Sequence, residues 1–141
     1  MPDVSQPLKP TDAQVREFLE AAMNAAVSDV ADHLQGSGPE VEVLITATNR
    51  AVSGGKRLRA LLCVAGAEVV GVTPTADSAV VQAGAALELF QAAALVHDDL
   101  MDASDTRRGE LAAHRWFETQ HPASNAASPT QIVEFGSSSA I

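Results

Sequence analysis

Apolar residues recur at helical spacing along most of the chain. Val15, Phe18, Leu19, Ala22, Ala26 and Val30 repeat every three or four positions. They follow Thr11-Asp12-Ala13-Gln14, which reads as a capping box with Thr11 at N-cap and Gln14 at N3. The pattern predicts a first helix over 11 to about 34, broken by Gly36-Ser37-Gly38-Pro39. Val41, Leu44, Ile45 and Val52 predict a second helix from near Pro39 to Ser53-Gly54-Gly55. Leu58, Leu61, Leu62, Val64, Val69 and Val70 predict a third from about Lys56, with Gly71 as its C-terminal stop.

The fourth predicted helix starts at Thr73-Pro74-Thr75, runs to about Met101 and is the most apolar. Its alanines, with Leu87, Leu89, Phe90, Leu95 and Val96, cover almost every face, the mark of a central helix enclosed by others. Residues 102–109 read as a charged loop, 112–119 as a short helix holding Trp116 and Phe117, and 121–128 as a polar loop. Ser128-Pro129-Thr130-Gln131 is a second capping box, with Pro at N1, opening a helix through Ile132, Val133 and Phe135. No strand pattern and no internal repeat is visible. The expected fold class is all-α. The last helix reaches Ala140-Ile141 with no glycine stop, basic residue or polar tail, so residues 1–141 are expected to be the N-terminal part of one larger helical domain.

Composition narrows the function classes. At 141 residues and 46% apolar, the chain can build a core and is not a disordered or collagen-like sequence. Nine basic against 18 acidic residues, net −9, exclude a strong nucleic-acid footprint and a polybasic membrane anchor, and favour contact with cations. The single cysteine, Cys63, has no internal disulfide partner; within Leu61-Leu62-Cys63-Val64 it is expected to be an inert core thiol, which fits a cytoplasmic address. Met1-Pro2-Asp3-Val4 shows no basic start before an apolar run. The stretch 79–96 contains Gln82, Glu88 and Gln91 and leads into aspartates, so no membrane span is expected.

The chemistry concentrates in His97-Asp98-Asp99-Leu100-Met101-Asp102. Asp98 and Asp102 are four apart and share a helix face; Asp99 is one step round. Carboxylates at a helix C-terminus oppose the dipole by roughly 0.3–1 kcal/mol each. A divalent cation reverses that sign, and oxygen-only ligands suit Mg²⁺. A solvated acidic turn is the competing reading. Arg107 and Arg108 follow in Thr106-Arg107-Arg108-Gly109, with the forked donors that suit a diphosphate. Ser53-Gly54-Gly55-Lys56-Arg57-Leu58-Arg59 adds two glycines, a helix start and the basic side chains of Lys56 and Arg59. It lacks the Ser or Thr of a Walker loop after Lys56. His97 is expected to be a hydrogen-bonded helix-end histidine, and His114 and His121 have no metal-ligand spacing.

Together Gly54-Gly55-Lys56-Arg57-Leu58-Arg59, Leu87-Glu88-Leu89-Phe90-Gln91, Asp98-Asp99-Leu100-Met101-Asp102 and Arg107-Arg108-Gly109 resemble the trans-isoprenyl diphosphate synthases, the polyprenyl synthetase family, over about residues 50–141. The resemblance implies an isoprenoid-synthase-type helical bundle, usually dimeric, around a deep cavity. It implies an Mg²⁺-dependent enzyme that condenses isopentenyl diphosphate with an allylic diphosphate. Asp98, Asp99 and Asp102 match the first aspartate-rich motif, which binds Mg²⁺ and the allylic diphosphate; Arg107 matches an arginine contacting that diphosphate. Lys56, Arg59 and Arg108 match the residues holding isopentenyl diphosphate, and Gln91 a further contact where many relatives have His. Ala60 and Leu111 stand where the family often has Pro. A second aspartate-rich motif does not occur in the 141 residues. Two other readings stay open: a non-catalytic remnant or partner subunit, and a class I terpene cyclase, which leaves Gly54 to Arg59 unexplained. On the fourth helix Ala94 or Ala93, then Phe90 and Leu87, fall on a stripe leading away from Asp98. In the family, bulk before the first motif limits product length, so a geranylgeranyl-length product is expected.

Overall fold

Six helices form in the computed structural model, which describes residues 9–122 and 126–141. They are α1 (Asp12–His33), α2 (Glu40–Val52), α3 (Leu58–Val69), α4 (Ala79–Met101), α5 (Ala113–Thr119) and α6 (Pro129–Ala140). The start at Met1-Pro2-Asp3-Val4 and residues 123–125 of the polar loop lie outside the described residues.

Both capping boxes form. The Gln14 N–H donates to Thr11 Oγ1 at 3.3 Å, and the Thr11 N–H to Gln14 Oε1 at 2.9 Å. The Gln131 N–H donates to Ser128 Oγ at 3.4 Å, and the Ser128 N–H to Gln131 Oε1 at 2.9 Å. At the end of α3, Gly71 takes φ 85°; its N–H bonds the Glu68 carbonyl, and the Val72 N–H reaches back to Ala67. That is a Schellman motif with Gly71 at the left-handed position.

Three boundaries differ from the sequence reading. α3 starts at Leu58, not Lys56, because Arg57 is left-handed at φ 51°. α4 starts at Ala79, not Thr73: the Ser78 hydroxyl donates to the Thr75 carbonyl and accepts from its N–H, closing a turn that uses groups a helix would need. The charged loop contains a small antiparallel hairpin, β1 (Thr106–Arg107) with β2 (Glu110–Leu111), in the register Arg107 opposite Glu110. Arg108 and Gly109 both have positive φ, 53° and 83°, as a two-residue type I′ turn requires.

The chain divides into two compact units, Met1–Ser28 with Gly55–Leu89, and Asp29–Gly54 with Phe90–Ile141. The first has its core in Val15, Leu19, Ala22, Met23 and Val27 of α1, Ala60 and Val64 of α3, and Val81 and Ala85 of α4. Gly84 lets these helices close up: a Cβ there would stand 3.0 Å from Leu19 Cδ2 and 3.2 Å from Ala60 Cβ. The second buries Val52, Ala92, Ala112 and Phe117, and packs α6 on α5 through Gly136.

Among the described residues, α4 is not enclosed on all sides. Its buried residues are Val81, Gly84, Ala85, Glu88, Ala92 and Asp99, one stripe with steps of three, four and seven and the adjacent pair Gly84 and Ala85, while Phe90 is 74% exposed and Leu87 43%. Composition is apolar all round, but the described neighbours cover one face. α4 is also, by length and composition, the one helix among the described residues apolar enough to cross a bilayer. Core helices pass the same test, and α4 carries the buried carboxylates Glu88 and Asp99. Cys63 is half-buried, not a core thiol, because α3 turns Ala60 and Val64 inward and leaves Leu62 outward.

Candidate active site

In the second unit, the aspartates at the end of α4 separate by environment. The Asp102 N–H donates to the Asp98 carbonyl at 2.9 Å, so helical spacing continues one residue past α4. Asp98 and Asp102, both exposed, are thus one turn apart. Asp99 is 3% exposed. Ala103, at φ 52°, ends the helix, with the Ser104 N–H returning to the Asp99 carbonyl at 2.8 Å. This is the same left-handed closure as at Gly71, made here by a residue with a Cβ.

The hairpin brings Arg107 to Asp99 as a two-pronged fork. Nε donates to Oδ2 and Nη2 to Oδ1 at 2.6 Å. Arg107 Nη2 also lies 3.8 Å from Asp98 Oδ2. The bond to Asp99 raises the Arg107 guanidinium above its ordinary value, against a partial lowering by burial. Arg107 therefore stays cationic at every working pH. At the hairpin tip, Arg108 Nη1 donates to the Ser53 carbonyl at 2.7 Å. Arg50 on α2 holds the other strand, with Nη2 2.9 Å from Glu110 Oε2, and lies over the Trp116 ring at 5.4 Å.

These groups line a cavity of about 200 Å³ that includes Arg50, Gly54, Asp99, Arg107, Arg108 and Trp116. Gln91 is half-buried on α4 in the same unit, and His97 is exposed. Among the described residues none hydrogen-bonds the His97 ring, so the expectation of a bonded helix-end histidine is corrected; at its position the helix faces outward. His114 is buried with Nδ1 unpaired among the described residues.

In the first unit, the segment carrying Lys56 and Arg59 is clamped. Arg16 Nη1 donates to the Lys56 carbonyl. Arg57, buried and left-handed, forks onto Glu20 at 2.7 and 3.0 Å. Such a non-glycine conformation costs about 1–3 kcal/mol and persists where its surroundings over-determine it. Buried Glu88 reaches from α4 to the start of α3, where Oε1 accepts the N–H groups of Arg59 at 3.1 Å and Ala60 at 3.2 Å. The sequence pattern leaves these N–H groups for an anion. The structure gives them to Glu88, and leaves the exposed side chains of Lys56 and Arg59 as the basic groups on offer.

The sequence pattern points to a triad of carboxylates around Mg²⁺. Among the described residues, no group of three or more His, Cys, Asp or Glu is placed to hold a metal. Both Asp99 carboxylate oxygens accept from Arg107. Two exposed carboxylates one turn apart still suit Mg²⁺, which commonly takes one or two carboxylates and completes its shell with water and substrate phosphate. Sequence reasoning missed Arg50, Glu20 and Arg16; they stand at ordinary helix positions, and only tertiary contact gives them a role. Glu88 belongs to one of the resembling motifs, but nothing in the sequence marks it as a cap.

Residues 41–135 match the polyprenyl synthetase family. Over 68 residues, 47% of this chain and 18% of the relative, the chain is 41% identical to geranylgeranyl pyrophosphate synthase 11, chloroplastic, of Arabidopsis thaliana. Over 112 residues, 74% of this chain and 28% of the relative, it is 34% identical to a dimethylallyltranstransferase of Fischerella ambigua (strain UTEX 1903). Among solved structures it is similar to geranylgeranyl pyrophosphate synthase from Corynebacterium glutamicum, complexed with isoprenyl diphosphate and magnesium. The TM-score is 0.68 at 35% identity, covering 90% of this chain and 35% of that one. The chain therefore spans less than a third of the length of these two curated relatives. Its helical fold, its clustered aspartates and arginines and the match over 41–135 agree: the chain belongs to the polyprenyl synthetase family.

Proposed function

We propose that the chain supplies the allylic-diphosphate and isopentenyl-diphosphate contacts of an Mg²⁺-dependent prenyltransferase. The observation that carries this is the Arg107–Asp99 fork beside exposed Asp98 and Asp102, in a chain of this family. Asp98 and Asp102 would hold Mg²⁺, which when bound offsets the charge developing on the departing diphosphate. Asp99 aims Arg107, whose remaining donors meet the same diphosphate. Lys56 and Arg59 are contacts for isopentenyl diphosphate, and the family resemblance gives Arg108 and Gln91 the same role. The exposed apolar face of α4 lines the path of the growing chain and keeps water from it. In the whole enzyme we place this unit in a cytoplasmic homodimer.

The reading is tested by titrating the purified chain with an allylic diphosphate, with and without Mg²⁺. Binding that needs Mg²⁺ supports it; no binding at any Mg²⁺ concentration overturns it. Turnover by these 141 residues alone is not expected, because a second aspartate-rich motif does not occur in them. A second reading is a partner subunit that binds without turning over. Elongation of labelled isopentenyl diphosphate by a protein joining this chain to a second such motif distinguishes the two.

Product length belongs to α4. Ala94 and Ala93 are small, and Phe90, the first large side chain before Asp98 on that stripe, is 74% exposed and free to meet a prenyl chain. One turn of helix spans about 5.4 Å, comparable to one isoprene unit. These positions support a geranylgeranyl-length product. In the active protein Ala93→Phe shortens the product and Phe90→Ala lengthens it, read by chromatography after dephosphorylation. Unchanged lengths in both variants would remove α4 as the floor.

A further inference from the structure

The start of α3 is not capped by its own chain neighbourhood. Arg57, at the N-cap position, is left-handed and makes no side-chain cap. A Ser, Thr, Asp or Asn at that position would satisfy the first N–H groups locally. Here the acceptor comes from Glu88, 28 and 29 residues further along, buried and bonded to the N–H groups of Arg59 and Ala60. On the other side, Glu20 forks onto Arg57 and Arg16 bonds the Lys56 carbonyl. The helix cannot start one residue earlier or later without breaking these contacts, so the directions in which Lys56 and Arg59 leave the backbone are set by α1 and α4. Both basic side chains are exposed, and among the described residues no hydrogen bond or ion pair holds their charged ends.

We propose that Glu88 and Glu20 are positioning residues for isopentenyl diphosphate. Glu88 fixes the backbone of Arg59, and Glu20 holds Arg57 in its left-handed turn. The two long cationic side chains then start from a rigid base, and less backbone freedom is lost when the diphosphate binds. Because Glu88 occupies the α3 N–H groups, the diphosphate is met by side chains rather than by the helix terminus. The inference rests on the reading of Lys56 and Arg59 as isopentenyl diphosphate contacts.

The test is calorimetric titration of the chain with isopentenyl diphosphate, with Mg²⁺-dependent allylic diphosphate binding as an internal control. Glu88→Ala is expected to weaken isopentenyl diphosphate about tenfold and to leave the allylic diphosphate within about twofold. Glu88→Gln, whose amide oxygen can still accept both N–H groups, should restore most of the affinity. In an Arg59→Ala background, Glu88→Ala should cost little more, since the two act through one contact. Unchanged affinity in Glu88→Ala, an equal loss for both diphosphates, or full additivity with Arg59→Ala overturns the proposal. If Glu88→Ala does not fold by circular dichroism, Glu20→Ala decides by the same three criteria, because the Glu20 side chain is 46% exposed and its removal opens no core. A wild-type chain that binds no isopentenyl diphosphate overturns this proposal together with the reading beneath it. Binding by the wild type with unaffected variants overturns this one alone.

Discussion

Asp98 and Asp99 are adjacent in sequence and opposite in circumstance. One step along a helix is about 100° of rotation. That step takes Asp98 to solvent and Asp99 inward, where both carboxylate oxygens meet the Arg107 fork. The variants should therefore separate. Asp98→Asn and Asp102→Asn should weaken Mg²⁺-dependent diphosphate binding by tenfold or more, about 1.4 kcal/mol, with little change in stability. Asp99→Asn should keep the Mg²⁺ dependence and instead lower stability by about 1–3 kcal/mol, the scale of losing hydrogen bonds to a charged group. Chemical denaturation and calorimetry on the three variants read both quantities; equal loss of Mg²⁺ dependence in all three would return Asp99 to the metal site. The cluster itself was legible, since three aspartates against a helix dipole need an explanation. Which of them points inward was not, because α4 is apolar on every side and its composition gives no inward direction. The partnership of Asp99 with Arg107 depends on a hairpin that has no strand-like pattern to announce it.

Among the helices and the hairpin, local chemistry that acts within four residues was readable and chemistry that acts across the chain was not. Thr11 with Gln14, Ser128 with Gln131 and Gly71 each fixed a helix end as their residue types require. The starts of α3 and α4, set by Glu20, Glu88 and the Ser78 turn, moved by two and six residues from their expected places. The β1–β2 turn was hidden because its first position is Arg108 rather than the Asn or Asp that tolerates positive φ best. Glycines within helices give a direct test of packing against propensity. Gly to Ala in an open helix interior stabilises by about 0.5–1 kcal/mol. At Gly66 of α3 an added Cβ would meet nothing within 4 Å, so Gly66→Ala should gain that amount. At Gly136 of α6 the added Cβ would stand 2.5 Å from the His114 carbonyl oxygen and 2.6 Å from Glu118 Cγ. The carbonyl is backbone and cannot swing aside. Overpacking of about 1–3 kcal/mol outweighs the propensity gain, and Gly136→Ala should lower the denaturation midpoint. Opposite signs for the two substitutions are the expected outcome; a stabilising Gly136→Ala would mean that α5 and α6 do not pack closely.

For the molecule as a whole, apolar content exceeds what the described residues bury. On α3, Leu58, Leu62 and Val69 are 57%, 72% and 86% exposed at spacings of four and seven, which is one helix face. On α4, Phe90 and Met101 are 74% and 85% exposed. The sequence showed that these helices are apolar, but hydrophobicity does not say which faces find a neighbour. Exposed apolar faces of this kind drive association, while the net charge of −9 opposes it. Salt decides between them. At physiological ionic strength the Debye length is about 8 Å, so repulsion between molecules is screened while the apolar attraction is not. Association of the 141-residue chain should therefore grow with added salt, the reverse of an assembly held by ion pairs. Leu62→Lys with Val69→Lys should leave stability within about 0.5 kcal/mol, because neither side chain is in the core. The pair should lower the fluorescence of a bound hydrophobic dye and raise the concentration at which association begins. Sedimentation at low and moderate salt, with the dye titration beside it, checks both. Dye binding that the double variant leaves untouched, or association that salt dissolves, would show that the α3 face does not drive it.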